Sequence, residues 1–239
     1  MKRNDSRLMA GLLFALLLAL AACEKEEEPM TAYGDAFVYV TEVNDSVVYF
    51  LSLYAYSWSP MKEVRVNRAN NSEEITLDSL QYRYTYANKL DSGLFSPTPP
   101  ESGTFEFHAV FDNNESHVST DVLDTALLAP PVIKTVVFDS TDQEINLTWE
   151  KVSNDCAYKI ALKEEGTLVF QSALYGPELS AFTITPYSSG WAYDKQPRDG
   201  DQFQVVLFAY LFEPVASAFD LQCVSVNEEH VVTWVNPYE

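Results

Sequence analysis

From residue 32 onward, apolar side chains recur at every second position in short runs, and each run ends in a polar turn. The segment Glu144-Ile145-Asn146-Leu147-Thr148-Trp149-Glu150 alternates without a break, so Ile145, Leu147 and Trp149 share one face of a strand. Phe203, Val205, Leu207 and Ala209 form a second such set, Tyr158, Ile160 and Leu162 a third, and Phe105, Phe107, Ala109 and Phe111 a fourth. In the fourth, Glu106 and His108 point outward. Further strands are predicted over 36–42, 47–56, 62–66, 75–80, 82–86 and 132–138. No stretch after residue 30 carries a helical period of useful length. Turn signals recur every ~8–15 residues, the spacing of an all-β sandwich.

The chain has 239 residues, too many for one ordinary sandwich and suited to two of about 100 residues each. The break falls at Asp124-Thr125-Ala126-Leu127-Leu128-Ala129-Pro130-Pro131, where consecutive prolines stop strand pairing and favour an extended connection. The expected organisation is therefore a sandwich over 32–125 and a second over 130–239. The connection is short, which limits the freedom of one sandwich against the other.

The second sandwich resembles a fibronectin type III domain. That family places a Trp at the end of its second strand, then a Tyr-x-Val strand, then a Tyr-x-Val-x-Val-x-Ala strand; Trp149, Tyr158-Lys159-Ile160 and Phe203 to Ala209 stand in those places. Phe203 replaces the family's tyrosine, so the hydroxyl of its tyrosine corner is lost, and Pro186 to Asp201 is longer than the family's connection. In the first sandwich, Gly103-Thr104-Phe105-Glu106-Phe107-His108-Ala109 resembles the Gly-x-Tyr-x-x-x-Ala strand of immunoglobulin-like domains. The fibronectin topology implies that Cys156 and Cys223 lie in one sheet with a strand between them. Their separation would then be about twice 4.8 Å, beyond disulfide reach, and two buried free thiols are expected.

The first 23 residues add an export signal. Lys2, Arg3 and Arg7 precede an apolar run from Leu8 to Leu20 that is too short to span a bilayer, which reads as a removable signal peptide over 1–22. Leu20-Ala21-Ala22-Cys23 resembles the lipobox of bacterial lipoproteins. The resemblance implies cleavage before Cys23 and acylation of its thiol and amino group by chains such as palmitate. Several chains, at about 0.8 kcal/mol per buried CH₂, anchor a protein permanently. The run Glu24-Lys25-Glu26-Glu27-Glu28-Pro29 is an acidic tether over 23–31. It resembles the surface-export signal of Bacteroidota lipoproteins, implying display on the outer face of the outer membrane.

Charge narrows the partners. Loss of residues 1–22 leaves 12 basic against 34 acidic side chains, a net charge of −22 over 217 residues. Such a chain repels nucleic-acid phosphate and anionic lipid head groups. Catalytic signals are missing as well. His108, His117 and His230 sit in no zinc or nucleophile motif, and eight glycines leave little for phosphate-cradling loops. Paired carboxylates for glycoside cleavage remain open, since so many acids always offer some pair. Asp199-Gly200-Asp201 and Asp139-Ser140-Thr141-Asp142 are acidic turns that lack the ordered ligand run of a calcium loop. No cofactor or metal site is expected.

Candidate binding residues concentrate in the connection from Pro186 to Arg198. Tyr187, Trp191 and Tyr193 are spaced by small residues, and Asp194, Lys195 and Arg198 offer hydrogen bonds, a combination that suits the face and hydroxyls of a sugar. The competing reading makes Trp191 a lid on the open end of the core. Tyr54, Tyr56 and Trp58 share one period-two face, as do Tyr82, Tyr84 and Tyr86; either stripe is a binding platform or a covered face. Ser46, Ser79, Thr125 and Ser140 follow aspartates in tripeptides that resemble the O-glycosylation acceptor of Bacteroidota envelope proteins, with a plain Asp-Ser turn as the alternative. Together these features point to a non-catalytic, lipid-anchored surface module that binds an envelope protein or a glycan; the alternatives are an accessory polysaccharide hydrolase and a structural spacer. Exposed aromatics in a row would favour the first, clustered acids in a cleft the second, and neither the third.

Overall fold

The computed structural model describes residues 29–69, 74–80, 82–192, 195–214 and 220–235. Among the described residues, every element but one 3-10 turn, Ser92–Leu94, is a strand. The first half contributes β1 (Ala32–Val43), β2 (Ser46–Ser57), β3 (Met61–Arg68), β4 (Glu74–Thr76), β5 (Asp78–Ser79), β6 (Thr85–Ala87), β7 (Gly103–Phe111) and β8 (Ser116–Leu123). The second contributes β9 (Ile133–Asp139), β10 (Glu144–Trp149), β11 (Cys156–Glu164), β12 (Thr167–Gln171), β13 (Ala181–Ile184), β14 (Gln202–Phe212) and β15 (Leu221–Thr233). Two tight turns have backbones that match the strand twist. Asn44 and Asp45, at φ 51° and 59°, join β1 to β2, and Glu165 and Gly166, at φ 49° and 80°, join β11 to β12.

Each half is a sandwich. In the second, β13-β10-β9 faces β12-β11-β14-β15, and in the first β4-β3-β7-β8 faces β1-β2-β6-β5. The chain is thus all-β and fibronectin- or immunoglobulin-like in both halves. The alternating sets fill the two cores: Phe105, Phe107, Ala109 and Phe111 in one, and Ile145, Leu147, Trp149, Tyr158, Ile160, Phe203, Val205 and Leu207 in the other, all buried. Trp149 packs edge-on against Tyr158 at 5.4 Å. With Phe203 unable to donate, the Tyr158 hydroxyl binds loop backbone instead, accepting from Val152 N at 2.7 Å.

The two sandwiches share a sheet. β15 runs parallel to β1, pairing Val38 with Cys223, Tyr39 with Val224 and Val40 with Ser225. The result is one eight-stranded sheet, β12-β11-β14-β15-β1-β2-β6-β5, backed by a smaller sheet at each end. The connection after β8 is tied down along β15. Gln222 accepts from Asp124 N at 3.0 Å and donates to the carbonyls of Asp124 and Ala126, and Ser225 Oγ donates to Ala129 O at 2.6 Å.

Cys156 and Cys223 are free and buried, and both are register partners of Leu211 from opposite sides. One strand therefore separates them, about twice 4.8 Å. Two predicted strands differ from expectation. The segment 75–80 divides at buried Leu77, β4 pairing with β3 and β5 with β6, so the chain changes sheets there. The segment 82–86 starts as a turn, with Tyr82 and Arg83 at φ 61° and 58°, and only Thr85–Ala87 is extended.

Candidate functional site

The shared sheet has one face that neither small sheet covers. Along β1, even-numbered Ala36, Val38 and Val40 are buried in the core, so Tyr33, Asp35, Phe37 and Tyr39 occupy the opposite face. Register sets Tyr56 opposite Tyr33, Tyr54 opposite Asp35, and Ser52 opposite Phe37. Tyr33 and Tyr56 stack with ring centres 5.2 Å apart and an interplanar angle of 22°, and Tyr54 lies 6.3 Å from Tyr56. Tyr33 and Tyr56 are 49% and 39% exposed. A second aromatic row runs down β14, where Phe208, Tyr210 and Phe212 follow one another at 5.9 and 6.4 Å. Phe95 closes the far end, packing on Tyr39 at 6.1 Å and Phe50 at 5.7 Å.

Between the tyrosines and the start of β15 lies a groove of ≈ 540 Å³, lined by Tyr33, Asp35, Phe37, Tyr54, Tyr56 and Asp220 among others. Its charged side chains are acidic. Asp35 accepts one backbone donor, Leu221 N, at 3.3 and 3.4 Å from its two oxygens. Burial pushes the Asp35 carboxyl up to about 8, aided by the nearby Asp121 charge and partly opposed by the Leu221 bond. Behind it, Asp121 accepts from Ala36 N at 2.6 Å. Burial raises Asp121 too, and it lifts Glu213, hydrogen-bonded to Asp121, to about 7. Burial likewise raises the Tyr54 phenol. Among the described residues, no group of three or more His, Cys, Asp and Glu is placed to hold a metal ion.

No family model and no curated protein matches this chain. Solved structures do. A DUF3823 family protein from Bacteroides uniformis is similar over 87% of this chain and 100% of its own, at 12% identity and a TM-score of 0.34. A two-domain fibronectin type III segment of chicken tenascin is similar over 83% of this chain and 99% of its own, at 8% identity and a TM-score of 0.29. The BSP domain of a biofilm-associated protein matches 86% of this chain at 13% identity and a TM-score of 0.24, this chain spanning 30% of that one. The likenesses are of fold alone.

Of the Tyr187–Arg198 candidates, Trp191 and Lys195 both lie against the Phe203 ring, and Lys195 Nζ and Arg198 N both donate to Asp201 Oδ2. Trp191 turns inward: its indole N–H donates to Thr185 O at 2.9 Å, and its ring packs on Phe170, Phe203 and Trp234 at 5.1, 5.7 and 6.5 Å. Backbone bonds from Gln171 N to Gly190 O and from Ala192 N to Val169 O stitch this connection to β12. Lys195 is held by Glu164 at 2.8 Å and Asp201 at 2.9 Å, so its ammonium is already matched. Tyr187 is 94% exposed and Arg198 is exposed at the turn. Tyr193, Asp194 and the lipidation residue Cys23 lie outside the described residues.

Ser46, Ser79, Thr125 and Ser140 are all exposed. Thr125 Oγ1 is 3.2 Å from Asp124 Oδ1, and Asp139 Oδ1 caps the turn at Ser140 by accepting from Thr141 N at 2.8 Å. Of the tyrosine stripes, Tyr54 and Tyr56 do share the groove face, whereas Trp58 lies past the strand end. Tyr82 and Tyr84 sit in a turn while Tyr86 is buried, its hydroxyl donating to Met61 O at 2.9 Å. Tyr33 and Asp35 were not singled out from sequence. Their two-residue offset along β1 is visible there, but their opposition to Tyr54 and Tyr56 depends on hairpin register.

Proposed function

We propose that this protein is a non-catalytic, lipid-anchored binding module whose ligand is a glycan held in the tyrosine groove of the shared sheet. The stacked, half-exposed Tyr33–Tyr56 pair with Tyr54 beside it carries the reading. Flat aromatic faces on a rigid sheet suit the C–H faces of sugar rings, and the Tyr54 hydroxyl and Asp35 supply polar contacts that fix orientation. The lipobox ending at Cys23 and the acidic run after it support anchoring at the outer membrane with the module facing outward. Tyr54→Ala and Tyr56→Ala are expected to fold normally and to lose retention on a glycan array that the parent chain gives. Retention unchanged in both variants, or parent binding to an envelope protein only, would remove the glycan reading.

A second reading, an accessory polysaccharide hydrolase, is favoured by one observation. Asp35 lines the groove and keeps its proton to about 8, the state a general acid needs. Release of reducing ends from a bound glycan, abolished by Asp35→Asn, would establish it in place of simple binding.

A further inference from the structure

We propose that the groove selects a saccharide bearing a positively charged amino group, with the sugar ring on Tyr33, Tyr54 and Tyr56 and the amino group beside Asp35. This rests on the glycan reading and adds the ligand's charge. Among the described residues the groove is lined by two carboxyls, Asp35 and Asp220, and by no Lys, Arg or His. Three partly buried acids elsewhere in the chain have internal cations: Glu228 has Lys163 at 2.9 Å, and Glu164 and Asp201 have Lys195. For Asp35 no ion pair is found among the described residues. Its oxygens share a single long bond from Leu221 N, and its charged neighbours, Asp121, Asp220 and Glu213, all repel it.

A ligand ammonium supplies what this site lacks. It makes a charge-assisted hydrogen bond to the carboxylate and sits against electron-rich phenol faces. The net acidity of the chain disfavours uronates, sulfated sugars and phosphosugars. In the empty groove Asp35 holds its proton to about 8. When an ammonium arrives below that pH, the carboxyl O–H proton leaves to solvent and the ammonium keeps its three hydrogens. Between pH 5 and 7, where an amine of α-amino type is still charged, affinity should then rise by up to about tenfold per pH unit.

The test uses glucosamine oligomers, the matching N-acetylglucosamine oligomers and oligogalacturonate with the whole chain. Titration calorimetry is run at about 0.15 M salt, where loose attraction to the acidic surface is screened. The expected result is glucosamine oligomers binding at least tenfold tighter than the N-acetylated ones, more tightly at pH 7 than at pH 5, and no binding of oligogalacturonate. Asp35→Asn, which keeps an acceptor for Leu221 N, should erase both the preference for the glucosamine oligomers and its pH dependence. Tyr54→Ala should weaken binding of both oligomers. Equal or tighter binding of N-acetylated or uronate oligomers, still dependent on Tyr54, overturns the amine inference and leaves the glycan reading standing. Binding of oligolysine at this groove with no saccharide bound overturns both.

Discussion

Replacing Asp35 by Asn should make the protein more stable at pH 8 and leave it nearly unchanged at pH 4. The folded chain holds a proton on Asp35 up to about 8, against 3.8 for an ordinary Asp side chain, chiefly because the carboxyl is buried and Asp121 lies close. Between those two values the folded state carries a proton that the unfolded state has released. Stability is therefore fully present below about 4 and is lost as pH rises toward 8, at about 1.4 kcal/mol per pH unit and with a ceiling of about 6 kcal/mol. Asp35 is partly exposed and water relaxes around it, so about 2–3 kcal/mol is the realistic span. The Asn side chain cannot titrate, and its oxygen keeps the bond from Leu221 N. Urea unfolding followed by tryptophan fluorescence at pH 4, 6 and 8 measures the effect. The parent's stability should fall across that series, with Asp121 and Glu213 contributing in the same direction. The variant should fall less and exceed the parent by about 2–3 kcal/mol at pH 8. Parallel curves for the two proteins, or a parent more stable at pH 8 than at pH 4, would refute the reasoning.

Four further outcomes follow, two from the geometry and two from the sequence. Trp191→Ala should lower the melting temperature by several degrees, since it empties a ring from among Phe170, Phe203 and Trp234 and costs about 3 kcal/mol; an unchanged melting temperature would mean that the ring is not a lid. Gly34→Ala should cost about 3 kcal/mol or more, because a Cβ there overlaps the buried Phe107 ring, which has no space into which to retreat; near-neutral stability by thermal unfolding would contradict that contact. Cys23→Ser should abolish lipid labelling and release a soluble form, and replacing Glu26, Glu27 and Glu28 with Ala should cut protease accessibility on intact cells; membrane retention or unchanged accessibility would count against the anchor and the export signal respectively.

The cores could be read from the chain because alternation is a local property. Ile145, Leu147 and Trp149, or Phe105 and Phe107, need no knowledge of partners to be assigned inward. The shared sheet could not, because β15 and β1 are 189 residues apart at their starts and each looks like any other sandwich strand. The groove fell between these cases. Tyr54 and Tyr56 were visible as one face, but Tyr33 and Asp35 join them only through the Asn44-Asp45 turn that sets the register. Period two misled where backbone sign mattered: Tyr82, Tyr84 and Tyr86 keep the spacing of a strand, yet positive φ at Tyr82 and Arg83 turns the chain. Trp191 was equally open from sequence, since small neighbours permit either direction; the bond from its indole to Thr185 O and its ring contacts with Phe170, Phe203 and Trp234 fix it inward.

The parallel seam between β1 and β15 also has a mechanical meaning. Because the two strands run the same way, tension applied at Thr31 and at Thr233 pulls them in opposite directions along the seam, so its hydrogen bonds are loaded together and not peeled apart one at a time. An extended pair of beads on a string would stretch at its linker under such a load. Here the linker between the sandwiches is bound to Gln222 and Ser225 on β15. A chain held at its amino end and pulled by drag or by a bound polymer should resist as a single stiff body until that seam gives way, and it should then lengthen in one abrupt step.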